Sequence, residues 1–218
     1  MRKSVLLASL SPALLLASCG NGYSTDGTAE AVSTPAPSGA FDGSFAIAEY
    51  GTFEEPWASA FIPGTSILFV TEKGGTAKIV DTSSRSEMSV SGLPEVDYGG
   101  QGGLGDVAFL PSQASSTVNN RTIYLSWVEA GDGDTRGAVV GRGTLNCGTQ
   151  DASCKVEGLE TIWRQTPKVS GRGHYSHRIV FSPDERYMFV SSGERQKKDP
   201  AQDTSNTLGT IVRLNLDG

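Results

Sequence analysis

His177-Arg-Ile-Val-Phe-Ser-Pro-Asp-Glu-Arg-Tyr-Met-Phe-Val-Ser191 reads as two short apolar strands, at 179–181 and 187–191, hinged on a Pro183-Asp184 turn. The rhythm is continued by Thr210-Ile-Val-Arg-Leu214, an outer strand reached through a loop, and it occurs twice more upstream. Trp57-Ala-Ser-Ala-Phe-Ile-Pro63 leads into Ser66-Ile-Leu-Phe-Val-Thr71 and then Thr76-Ala-Lys-Ile-Val80. Leu104-Gly-Asp-Val-Ala-Phe-Leu-Pro111 leads into Thr122-Ile-Tyr-Leu-Ser-Trp127 and then Gly137-Ala-Val-Val-Gly-Arg142. Glycine is frequent (27 of 218 residues) and helical periodicity is hard to find, so the chain is expected to be all-β.

Strand, proline turn, strand, loop and outer strand, repeated at roughly 40 to 70 residues, is the pattern of β-propeller blades. A sandwich or plain meander sheet is the alternative. Three blades leave unpaired sheet edges, and Asn215-Leu-Asp-Gly218 is a turn signal that normally leads into a further strand. Residues 43–218 are therefore expected to hold about three blades, near half of a propeller, neither stable nor active alone.

The same stretch carries the chemistry. His174 and His177, the two histidines of the chain, open it, and Glu194 follows its second strand. Two strands joined by a short turn bring the chain back to the end where it began, so His174 and Glu194 are expected at one rim of a sheet. There a histidine and a carboxylate make a general base and its orienting group. The plain alternative is two loop histidines and a surface glutamate. A histidine-held metal is not expected, because no third ligand accompanies the pair.

Arg2 and Lys3 precede a short apolar run from Val5 to Ala17, well below the roughly 20 apolar residues that span a bilayer. This is the pattern of a secretory signal peptide, 1–18. Its ending, Leu16-Ala17-Ser18-Cys19-Gly20, resembles the bacterial lipobox, with Cys19 as the lipidated new amino terminus. Gly20 after it suggests the periplasmic face of the outer membrane. Residues 19–42 are rich in Gly, Ser, Thr, Ala and Pro and read as a disordered tether. Without Arg2 and Lys3, 16 basic residues face 24 acidic ones, a charge of −8 that suits nucleic acid poorly. Cys147 and Cys154, seven apart in an exported chain, are expected to form a disulfide.

Gly100-Gln-Gly-Gly-Leu-Gly105 matches the dinucleotide fingerprint G-x-G-x-x-G but leads into a strand rather than a helix, which excludes that use. Its glycines permit close approach to a ligand, with the Gln101 amide as a polar hand; a merely tight turn is the alternative. Gly131-Asp-Gly-Asp134 reads as a hairpin turn, and Asp203-Thr-Ser-Asn206 as a capped short turn.

Taken together, Gly92-Leu-Pro-Glu-Val-Asp-Tyr-Gly-Gly-Gln-Gly-Gly-Leu104, Gly173-His174 with Arg178, Gly193-Glu194, Ala201-Gln-Asp203 and Leu208-Gly-Thr-Ile-Val-Arg-Leu-Asn-Leu-Asp-Gly218 resemble the PQQ-dependent glucose/sorbosone (soluble aldose sugar) dehydrogenases. Pro56-Trp57-Ala58 and Val70-Thr-Glu-Lys-Gly-Gly75 fit as well. The resemblance implies a six-bladed propeller holding pyrroloquinoline quinone (PQQ) and calcium on its axis. It further implies an aldose substrate oxidised at C1 to the lactone, and a respiratory electron acceptor. His174 stands where the family keeps its base, and an imidazole with an ordinary pKa near 6.5 suits proton abstraction. Glu194 stands where the family usually has an aspartate. Gln101 stands by cofactor and substrate. His177 and Ser176 replace commonly small residues, narrowing the pocket or adding a polar group, and Gly105 replaces the usual leucine. The family's catalytic arginine, calcium ligands and most basic quinone contacts belong to later blades, so no metal ligand is expected here. The alternative is a propeller lipoprotein that binds glycans or proteins without chemistry.

Overall fold

The structure, a computed structural model, describes residues 46–148 and 153–218. The signal, the tether and Cys19 lie outside them. Eleven strands follow in sequence: β1 (Pro56–Phe61), β2 (Ile67–Glu72), β3 (Thr76–Asp81), β4 (Glu87–Ser91), β5 (Leu104–Phe109), β6 (Arg121–Ala130), β7 (Arg136–Cys147), β8 (Ser153–Arg164), β9 (Ser176–Phe181), β10 (Tyr187–Ser192) and β11 (Thr210–Asn215). They form antiparallel meanders, β1 to β4, β5 to β8 and β9 to β11. The first strands of the units are neighbours, β1 against β5 and β5 against β9, as in blades stacked side by side.

The first two blades hold four strands rather than the expected three. β4 and the long β8 are the additions, and they join the two blades by a short parallel pairing, Val90 opposite Cys154. Both lie toward solvent, and β4 (Glu-Met-Ser-Val-Ser) buries no residue fully, so neither carries the apolar pattern that marks a strand. Cys147 and Cys154 face each other across β7 and β8 and are bonded, as expected. The Gly131–Asp134 segment turns the chain from β6 to β7, and Thr135 N–H donates to Asp132 O.

β6 is buried on both faces because its blade is the middle one. Ile123, Leu125 and Trp127 pack toward the first blade with Phe69, Ile79 and Phe109. Tyr124, on the opposite face, packs toward the third blade with Ile179, Met188 and Val190. A period of two puts alternate residues on opposite faces, so a sandwiched strand reads as a nearly continuous apolar run, interrupted in β6 by the buried Ser126. β9 starts earlier than the apolar residues suggest, at Ser176. His177 is thus inside the strand and shares the buried face with Ile179, which removes it from the rim where His174 stands.

Asp106 of β5 fastens the second blade to the third. Its carboxylate accepts the Arg178 guanidinium at 2.7 Å and the Ile179 N–H at 2.7 Å. Burial nonetheless raises its pKa, outweighing those hydrogen bonds and the Arg178 charge.

Candidate active site

Three connections converge on one end of the blades: the 99–103 loop before β5, the 171–175 loop before β9, and the turn after β10. Gly193 lies against the carbonyl of His174 so closely that any Cβ there would overlap it. Glycine is the residue that lets the two chains meet. Gly193 N–H donates to Tyr175 O at 3.0 Å and Arg195 N–H to His174 O at 3.3 Å. The Gln165 amide, buried beneath, donates to Gly193 O at 2.9 Å.

This closure brings His174 and Glu194 into contact, Nδ1 on Oε1, as the short hairpin predicts. The other carboxylate oxygen accepts the Lys198 N–H at 2.7 Å. That backbone bond first, and His174 second, hold the Glu194 carboxyl down to about 2, so it is ionised at neutral pH. A carboxylate on Nδ1 fixes the neutral ring with its proton there and leaves the Nε2 lone pair free. His174 also has a left-handed backbone, φ 52°, as do Ser176, His177, Arg195, Gln196 and Lys198 around it. Each costs about 1–2 kcal/mol for a residue with a side chain, a concentration of strain seen where geometry is held for use.

Gln101 joins them. Its Oε1 accepts the His174 N–H at 2.7 Å, and its amide NH2 makes no hydrogen bond among the described residues. The glycines beside it let the loop close against neighbouring chain. A Cβ at Gly100 would meet Arg172 O, and one at Gly103 would meet Lys73 O. Gln101 N–H donates to Arg172 O at 2.8 Å, and Asp97 accepts both Arg136, at 3.0 Å, and Arg172, which locks the two loops together.

Two contributors were not singled out as functional from the sequence. Arg195 is 1% exposed, a cation with no carboxylate in contact among the described residues. Its guanidinium donates to Gly173 O at 2.9 Å, Arg136 O at 2.7 Å and Gly171 O, and stacks 3.7 Å over the Tyr175 ring. It clamps the loop that carries His174. Trp57, half-exposed on β1, forms a wall. No local signal marks either role, since burial of a charge following Glu194 depends on what the second blade brings to it. The cavity so formed, about 610 Å³, is lined by Trp57, Gln101, His174, His177, Glu194 and Gly209, among others.

The arrangement is an imidazole whose Nε2 has no hydrogen-bond partner among the described residues, an ionised carboxylate on its Nδ1, and an amide beside them in an open cavity. It suits removal of a proton from a hydroxyl. Among the described residues no three His, Cys, Asp or Glu gather to hold a cation.

Residues 53–218 match the model of the glucose/sorbosone dehydrogenase family. The aldose sugar dehydrogenase YliI of Escherichia coli (strain K12) is 36% identical over 165 residues, 76% of this chain and 42% of its own. A crystal structure of glucose dehydrogenase superposes with a TM-score of 0.67 at 34% identity, over 76% of this chain and 46% of that one. The PQQ-bound aldose sugar dehydrogenase of Streptomyces coelicolor does so with a TM-score of 0.64 at 25% identity, over 77% and 46%. The chain spans less than half the length of these relatives.

Proposed function

The chain belongs to the glucose/sorbosone dehydrogenase family, and from that premise we propose that the complete protein oxidises aldose sugars at C1 to the lactone with PQQ as cofactor. The observation that carries the reading is the His174–Glu194 pair lining the cavity, with no hydrogen-bond partner on Nε2 among the described residues.

In the proposed reaction the anomeric hydroxyl sits over His174. Nε2 takes its proton as the C1 hydrogen leaves with its electron pair, and the C1–O bond becomes the lactone carbonyl. Bound PQQ supplies the two-electron acceptor for that hydride. Glu194 keeps the Nδ1 proton in place and stabilises the imidazolium as it forms. Gln101, with a free amide NH2, is the residue here suited to the quinone or a sugar oxygen. The fit to PQQ is that of one wall: an aromatic face and an amide are present, whereas no Lys or Arg among the described residues lines the cavity to meet its carboxylates. Calcium is part of the proposal for the complete protein, but no residue described here is assigned to it.

The sugar's electrons are proposed to pass to a respiratory acceptor, with the protein anchored through Cys19 in the envelope. Incorporation of labelled lipid that disappears in Cys19→Ala tests the anchor. Aldose-dependent dye reduction by the complete protein, requiring added PQQ and calcium and falling about 10²–10⁴-fold in His174→Ala, is the expected result. No reduction over a panel of aldoses would overturn the reading and leave a binding propeller.

A further inference from the structure

The floor of the cavity holds an imidazole that the proposed reaction does not use. His177 is 2% exposed, on the buried face of β9, yet it lines the cavity. Its Nδ1 lies 2.7 Å from Ser126 Oγ of β6. That same oxygen accepts the Asp106 N–H at 2.7 Å. The hydroxyl proton has no other acceptor among the described residues, so it goes to Nδ1, and a neutral ring then carries its own proton on Nε2. Burial, outweighing a contact with its own backbone that raises the value, and helped by the charges of Arg178 and Arg195 nearby, drives the ring's pKa down to about 4 and keeps it neutral.

No protein group hydrogen-bonds Nε2 among the described residues, and no fully buried side-chain nitrogen or oxygen there lacks a partner. Nε2 therefore opens on the cavity. The ring fits because position 105 is glycine: a Cβ there would overlap Cε1 and Nδ1 of His177. Gly105 makes the room, Ser126 sets the tautomer, and the Asp106 amide sets Ser126.

We propose that the His177 Nε2–H is a hydrogen-bond donor to a hydroxyl oxygen of the aldose held over His174, and so a specificity-determining residue. The proposal rests on the aldose reading above. The cavity then has two imidazoles of opposite sense, His174 accepting at Nε2 and His177 donating from it. An aldose lacking the contacted hydroxyl leaves the donor unpaired and is disfavoured.

The test uses the complete protein, loaded with PQQ and calcium and reduced in advance so that no turnover follows. Glucose and its monodeoxy derivatives are titrated into the wild type, His177→Phe, and the double variant Gly105→Ala/His177→Ser, which exchanges the volumes back. Both variants are expected to bind glucose roughly 3- to 10-fold more weakly, the worth of one neutral hydrogen bond. One deoxy sugar should show the same loss in the wild type and no further loss in the variants. In turnover the loss should appear in KM with kcat nearly unchanged. Wild-type affinities for every sugar in both variants would overturn the proposal and leave His177 as packing. Nitrogen-15 histidine spectra of the wild type decide independently of variant folding. A protonated Nε2 whose signal moves on saturation with glucose is expected, and a protonated Nδ1 or an unmoved signal overturns the proposal. A wild type that neither binds nor oxidises any aldose overturns the aldose reading and this inference together.

Discussion

The two histidines stand three residues apart in opposite environments, His174 against Glu194 at the rim and His177 buried in β9. His177 titrates at about 4 in the fold against 6.5 as a free side chain, so the unfolded chain takes up the proton first. Its stability contribution is complete above pH 6.5 and is lost as the pH falls toward 4. The loss approaches about 3 kcal/mol, measurable as a fall in urea midpoint that His177→Phe should flatten. Glu194 is held down to about 2 against 4.5, so its contribution is present above 4.5 and is lost as the pH falls from there toward 2. Glu194→Gln should remove that acid-side loss, and should lower kcat of the complete protein roughly 10- to 100-fold by releasing the His174 ring. An unchanged kcat would mean that the carboxylate does not orient the base. The His174–Glu194 pairing was legible because a hairpin with a short turn returns to its starting rim. The burial of His177 was not, because it follows from Gly105 on another strand.

At the scale of elements, the site is a junction of three loops held by backbone contacts. Gly193→Ala puts a methyl against the His174 carbonyl and must part the β10 turn from the 171–175 loop. A several-fold fall in activity measured well below the unfolding transition is expected, since the rest of the blade is untouched. Arg195→Met leaves the carbonyls of Gly171, Gly173 and Arg136 without their donor. A loss of about 2–4 kcal/mol is expected in denaturant unfolding, and Arg195→Lys should recover little of it, since an ammonium lacks the planar fork. The strands of the blade cores were readable as short apolar runs bounded by turns. β4 and β8 were not, because strands facing solvent carry weak apolar patterns and announce themselves only through pairing.

Across the whole molecule, blade-to-blade contacts decide both stability and site. The cystine joins β7 to β8 where β8 meets β4 of the first blade. Replacing both cysteines by serine should cost about 2–3 kcal/mol, the value expected for so short a closed loop, seen as a lower unfolding temperature in non-reducing buffer. The Asp106 clasp, with Arg178 and the Ile179 amide, serves the next joint, and the same residue's amide positions Ser126 under His177. One interface thus supports the fold and shapes the cavity floor.

The sequence by itself determined the strand and turn rhythm, the disulfide, and the return of Glu194 to the rim where His174 stands. These rest on local rules: apolar runs, turn chemistry and short-range return of the chain. The expectation of Gln101 by cofactor and substrate came with the family resemblance, and its bond to His174 with the structure. Only the tertiary structure decided that the glycine loop closes on Arg172 and Lys73, that Arg195 is a buried clamp, and that His177 is a neutral ring opening on the cavity. Each depends on which atoms a neighbouring blade or loop brings within contact, and packing between segments distant in sequence has no period for a single chain to display.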